Sequence, residues 1–180
     1  DMTRNMVLAA LFAALTAIGA FLQIPTGTVP ITLQFLFTAL AGLLLGWKWG
    51  AVSQLLYVGI GLLGLPVFTQ GGGIGYVLQP SFGFLLGLIP AAAVIGAMTA
   101  RRTGYLTVLA AVLVGDLILY AVGVPYMYLI LHVYMQSAKT FPALLAAMLV
   151  YVPGDTLKIV VVTALAPVLR RTLVKAVPNL

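Results

Sequence analysis

Asp155 and Lys158 are the side chains of this sequence best placed to do chemistry. They stand three residues apart in Pro153-Gly154-Asp155-Thr156-Leu157-Lys158, directly ahead of an apolar run over residues 159–169. A carboxylate offers acceptors and an ammonium offers donors, and at this spacing on a helix the two share one face, roughly 5–6 Å apart at Cβ. Pro153 and Gly154 suit the first turn of that helix, where a missing amide hydrogen is no loss, and Asp155 then sits near the positive end of the helix dipole. Each charge costs roughly 2.5–3.5 kcal/mol at the centre of a membrane helix. The pair is therefore joined, aimed into a polar cavity, or both. A small polar or anionic ligand bridging the two is the functional reading, and an ion pair that locks the last helix is the structural one.

The elements that must position this pair are membrane helices. Of 180 residues, 63% are hydrophobic and 7% charged, which excludes an ordinary soluble domain and predicts a single membrane domain over residues 1–180. The net charge of +6 comes from basic residues that punctuate the ends of apolar runs, so the expected surroundings are a lipid bilayer and not nucleic acid. The absence of cysteine removes disulfides, thiolate metal sites and cysteine nucleophiles. Met2 reads as the natural start, leaving Asp116 and Asp155 as the acidic side chains, and the first apolar run reads as a retained helix with no cleavable signal.

Six apolar runs follow in order: residues 5–24, 31–46, 51–68, 81–99, 104–122 and the run opened by Pro153. Residues 25–30 read as a polar turn, and Trp47-Lys48-Trp49-Gly50 as a turn at headgroup level. Residues 69–80 are too rich in glycine for a stable helix and too apolar for a free linker, so they are expected to pack on the bundle. Residues 123–152 are too few for two spans, which need about 40 residues. A single span there would put the C-terminal cations outside. The predicted fold is an all-α bundle of six transmembrane helices with an outer-face cap between helices five and six. Both termini are expected in the cytoplasm, with Arg4, Lys48, Arg101, Arg102, Arg170, Arg171 and Lys175 inside a multi-pass cell-membrane protein. That orientation puts the charged pair, the glycine loop and the cap on the outer side.

Four stretches carry a family resemblance. They are Ala9-Ala10-Leu11-Phe12-Ala13-Ala14-Leu15, Val29-Pro30-Ile31-Thr32-Leu33-Gln34, Gly64-Leu65-Pro66-Val67-Phe68, and Pro153-Gly154-Asp155 with Lys158. Together they resemble BioY, the biotin-specific membrane subunit of energy-coupling-factor (ECF) transporters. The resemblance implies a six-helix protein that captures biotin from outside. It also implies docking through the alanine stripe of helix one onto a transmembrane coupling subunit, with energy from two cytoplasmic ATPases. The chain departs from the commoner family pattern after the glycine loop, where it reads Gln79-Pro80-Ser81-Phe82-Gly83-Phe84.

Biotin presents ureido donors, a carbonyl acceptor, an apolar ring system and a carboxylate, so its site needs an acceptor, a cation and apolar walls. Asp155 would take the ureido edge and Lys158 either the carboxylate or the ureido carbonyl. Gln79, Thr32 and Gln34 are candidates to complete a polar ring, or else cap loops and helix ends. Tyr76 and Tyr151 wall a ring system or mark the interface. Asp116 is either a second polar contact or a link between helices. Ala10 and Ala14, one turn apart, are the expected contact with the coupling subunit; the alternative is packing inside the bundle. His132 has no cysteine or histidine partner for a metal, and Gly71-Gly72-Gly73 lacks the lysine of a phosphate loop, so neither metal nor ATP is expected here. The competing readings are a related subunit for lipoate or pantothenate and, of another class, a membrane enzyme. The latter finds only His132 to activate Ser53, Ser81 or Ser137.

Overall fold

A computed structural model describes residues 2–24 and 30–176. The turn expected at residues 25–30 lies, apart from Pro30, outside them. Apolar runs in lipid must satisfy their own backbone groups, and the chain is accordingly mostly helical. The helices are α1 Met2–Phe21, α2 Gln34–Leu62, α3 Phe82–Met98, α4 Tyr105–Leu129, α5 Phe141–Ala147 and α6 Val152–Ala176. Among the described residues, four helical stretches are long and apolar enough to cross a membrane: Met2–Phe21, Gln34–Leu62, Tyr105–Tyr134 and Phe141–Ala176. Helices α1 to α4 pack each on the next, and α6 closes against α2 and α4.

Within α2 the backbone of Gly46 leaves the helical region, with φ 86° and ψ 176°. A Cβ on Gly50 would lie 2.9 Å from the Cα of Gly42, whereas in a straight helix those residues would be separated by about 12 Å. α2 is therefore two antiparallel limbs joined at one residue, a conformation that glycine adopts without strain. α3 presses into the same corner: a Cβ on Gly42 would lie 2.5 Å from the Ala92 carbonyl oxygen, and one on Gly96 would lie 2.4 Å from the Trp47 amide nitrogen. The turn expected at Trp47-Lys48-Trp49-Gly50 is corrected by this geometry. Those residues are helical, and the reversal falls at Gly46 because a one-residue reversal needs positive φ, which interfacial aromatics do not provide.

Gln54 is wholly buried and crosslinks the first three helical limbs. Its amide nitrogen donates to Thr16 at 3.1 Å and to Ser53 at 3.1 Å, while its oxygen accepts from Thr38 at 2.8 Å. Each such bond in a membrane protein contributes only about 0.6 kcal/mol on average, so the network specifies which faces meet more than it stabilises them.

Three further expectations shift. The fold is not wholly helical, because Gln23–Ile24 (β1) pairs antiparallel with Ile31–Thr32 (β2), two short segments next to Pro25 and Pro30 where helix is disfavoured. The third apolar run ends at Leu62, where Gly64 turns the chain at φ 122° and Pro66 follows. The glycine-rich stretch does pack on the bundle: the Gly73 amide donates to the Gly61 carbonyl at 2.6 Å, and a 3-10 turn covers Ile74–Leu78. Beyond it, α4 runs on to Leu129 and into a wider π turn at Ile130–Tyr134. A non-helical stretch over residues 135–140, then α5 and a 3-10 turn at Met148–Tyr151, separate that turn from α6.

Candidate functional site

α6 begins at Val152, so Pro153 occupies its first turn and Asp155 stands there as the acidic residue. One turn on, the Lys158 ammonium lies 3.4 Å from Oδ1 of Asp155, with only 12% and 13% of the two side chains exposed. Lys158 also donates to the carbonyl oxygen of Thr32 at 2.9 Å, tying α6 to the β1–β2 ladder across 126 residues of sequence. The Tyr120 hydroxyl of α4 donates to Oδ2 of Asp155. Both oxygens of Asp155 are thus engaged, one by a cation and one by a phenol.

These groups open onto a cavity between α2, α3, α4 and α6. Its polar lining is Thr32, Gln34, Tyr120, Tyr151, Asp155 and Lys158, and its apolar wall includes Phe35, Phe84, Leu88, Leu119 and Met148. Gln34 is held in place: its amide nitrogen donates to Tyr57 at 2.7 Å, and Tyr57 donates on to the Val67 carbonyl at 2.8 Å. Thr32 donates to the Gln34 side-chain oxygen at 3.2 Å. An acceptor, a cation, amide and hydroxyl groups and a largely apolar wall therefore converge in one place, as recognition of a small molecule with a polar head and a ring body requires.

Of the residues singled out from sequence, Thr32, Gln34, Tyr151, Asp155 and Lys158 share this cavity. Tyr76 does not; it is buried with Phe68, Phe82 and Tyr57 in an aromatic cluster, and it lines a smaller neighbouring cavity with Gln34 and Phe84. Gln79 follows the 3-10 turn, its backbone amide bonded to the Tyr76 carbonyl at 3.0 Å, and lines neither cavity. His132 stacks on Tyr128 with ring centroids 5.2 Å apart. Tyr120 is the residue that sequence reasoning passed over. Its spacing of four from Asp116 on α4 was the available signal, since that spacing puts both on one face. The Asp116 carboxyl does face that of Asp155, and its Oδ1 is buried without a hydrogen-bond partner.

The model of the BioY family matches residues 1–175. The chain belongs to the BioY family. A BioY relative from Lysinibacillus sphaericus, named "Probable biotin transporter BioY", is 55% identical over 141 residues, covering 77% of this chain and 72% of that protein. The biotin transporter BioY of Thermotoga maritima is 35% identical over 164 residues, covering 91% and 94%. Among solved structures, the S-component for biotin from an ECF-type ABC transporter matches with a TM-score of 0.83 at 29% identity, over 94% of this chain and 92% of that one. This BioY chain is thus a multi-pass membrane protein with the architecture of an S-component.

Proposed function

We propose that the chain is the biotin-binding membrane subunit of an ECF-type uptake transporter. The observation that carries this reading is the convergence of Asp155, Lys158 and Tyr120 on a cavity with an apolar wall, in a chain whose relatives are biotin transporters. Asp155 accepts from the ureido edge, Lys158 meets the ligand's carbonyl or carboxylate, Thr32, Gln34 and Tyr151 complete the polar ring, and Phe84 and Leu88 receive the fused rings. Tyr76 lines a smaller cavity that it shares with Gln34. Gln79, at the end of its turn, is given no ligand contact. The family's role in transport leaves no catalytic step to assign. Mass spectrometry of the small molecule that co-purifies with the protein tests the reading: biotin is expected. Lipoate or pantothenate in its place would reassign the ligand.

The same reading makes the chain one membrane domain of six spans, the two limbs of α2 counting separately, with α5 and its flanking turns as an outer cap. Contacts that gather the basic residues at one end support an orientation. Arg170 donates to the Thr99 carbonyl at 3.4 Å beside Arg101 and Arg102, and Gly96 lies against Trp47 next to Lys48. The charged pair lies near the opposite end of α6. By the positive-inside bias the basic end is cytoplasmic, with both termini, and biotin enters from outside. In this cysteine-free chain, Arg102→Cys is expected to label only from the cytoplasmic side and Ile74→Cys only from the outside. Outward labelling at position 102 would overturn the map.

Energy reaches the pocket through a transmembrane coupling subunit that carries two cytoplasmic ATPases. Ala10 and Ala14 form the contact. Both are exposed along α1, while Ala9 and Ala13 of the adjoining register are buried at 1% and 5% exposure. The outward register is free to receive a partner helix.

A further inference from the structure

A second cleft, of about 580 Å³, opens between the C-terminal part of α6, the start of α4 and the first limb of α2. It is remote from the charged pair: Arg170 lies twelve residues beyond Lys158, about 18 Å along the helix. Its floor is apolar, formed by Leu43, Val108, Ala166 and Pro167, and its rim carries Arg170, Arg171 and Lys175. Arg170 is partly buried and fixed by its bond to the Thr99 carbonyl at 3.4 Å, whereas Arg171 and Lys175 are exposed.

These cations have no acidic neighbour among the described residues. The chain holds three acidic residues in all; Asp116 and Asp155 face each other at the other site, and Asp1 lies outside the described residues. Among the described residues no acidic side chain supplies the neutralising charge, and a bound anion would. The cleft also lies at the level where Tyr105, Trp47 and Lys48 mark an end of the membrane-crossing helices. A soluble anion would use the rim and leave the apolar floor wet. An apolar partner helix would use the floor and leave three cations unpaired.

We infer that this cleft binds an anionic phospholipid, its phosphate held by Arg170, Arg171 and Lys175 and an acyl chain laid along Leu43, Val108 and Val174. Guanidinium groups match phosphate oxygens in geometry as well as charge, and basic pockets between membrane helices are a recurrent form of headgroup site. The lipid links α2, α4 and α6 at the end away from the biotin pocket, without touching that pocket.

Native mass spectrometry of the detergent-purified protein, given equal amounts of dioleoyl-phosphatidylglycerol and dioleoyl-phosphatidylcholine, tests this. The expected result is retention of phosphatidylglycerol over phosphatidylcholine by on the order of tenfold. Arg171→Gln with Lys175→Gln should bring that ratio close to one, and Val174→Trp, which fills the cleft with no change of charge, should lower phosphatidylglycerol retention. All three positions are exposed, so biotin binding by each variant reports that the fold survives. Equal retention of the two lipids by the unmodified protein would overturn the inference, as would a preference that survives all the substitutions. Displacement of phosphatidylglycerol by millimolar inorganic phosphate would make this a simple anion site. A co-purified membrane protein that covers the cleft while neither lipid is preferred would give the face to a protein partner. Either of these outcomes also overturns the lipid assignment.

Discussion

Lys158→Ala is expected to weaken biotin binding by roughly 2–5 kcal/mol, from about thirtyfold to several-thousandfold, with the protein still folded in detergent. The size follows from where the ammonium sits. It is mostly buried, 3.4 Å from Asp155 and 2.9 Å from the Thr32 carbonyl. Removing it withdraws a cation from the ligand and leaves the Asp155 carboxylate beside the carboxyl of Asp116 without its ion-pair partner. The surrounding hydrogen bonds supply a control. Tyr120 still donates to Asp155, and Gln34 and Tyr57 still anchor the far wall, so the cavity keeps most of its frame. Calorimetric titration and thermal unfolding on the same sample separate the two readings of the pair. Lost affinity with a modest change in unfolding temperature identifies a ligand contact. Near-wild-type affinity with a large drop in unfolding temperature would make Lys158 a structural ion, and the proposed ligand contact would be wrong.

The second large effect is expected far from that pocket. Ala10→Trp together with Ala14→Trp should abolish co-purification with the coupling subunit and uptake into cells, while biotin affinity in detergent stays within a few-fold of the parent. Alanines one turn apart let two helix backbones approach closely, and close approach is the main source of attraction between helices in lipid, where the hydrophobic effect contributes little. Two indoles on that face hold a partner off by the width of a side chain. Inside the bundle they meet nothing, because both positions point outward. The neighbouring register gives the opposite result: Ala9→Trp with Ala13→Trp would drive indoles into buried positions and is expected to cost the fold itself. Retained uptake by the Ala10 and Ala14 variant would place the docking surface elsewhere. Loss of biotin affinity with misfolding would mean that the stripe packs internally.

What could be read in advance was whatever local chemistry dictates. Pro153, Gly154 and Asp155 announce the start of α6, and a spacing of three alone brings Lys158 onto the same face, so the charged pair was legible without any tertiary information. Its remaining partners were not. The acceptor from Thr32 is a backbone carbonyl, which every residue has, and only the folded chain decides which carbonyl meets the ammonium. Tyr120 was hidden for a different reason: a tyrosine in an apolar helix reads equally well as an interfacial anchor, and its hydroxyl becomes informative only when α6 is set against α4. The Thr16–Gln54–Thr38 network is similar, since each member is an isolated polar residue in an otherwise apolar run. The misplaced reversal is instructive in another way. Aromatic residues and a lysine mark the depth of the membrane surface, but the bend follows the backbone freedom of Gly46.

The reversal at Gly46 also bears on how the chain is made. A single residue joins the limbs of α2, so two long apolar stretches form one tight hairpin with no loop between them. Their polar groups are matched across the fold: Gln34 meets Tyr57, and Thr38 meets Gln54. Those amides and hydroxyls satisfy one another within the hairpin, with no contribution from α3 or α6. In the N-to-C order of synthesis, the Gln34–Tyr57 contact that anchors one wall of the pocket is complete about a hundred residues before Asp155 and Lys158.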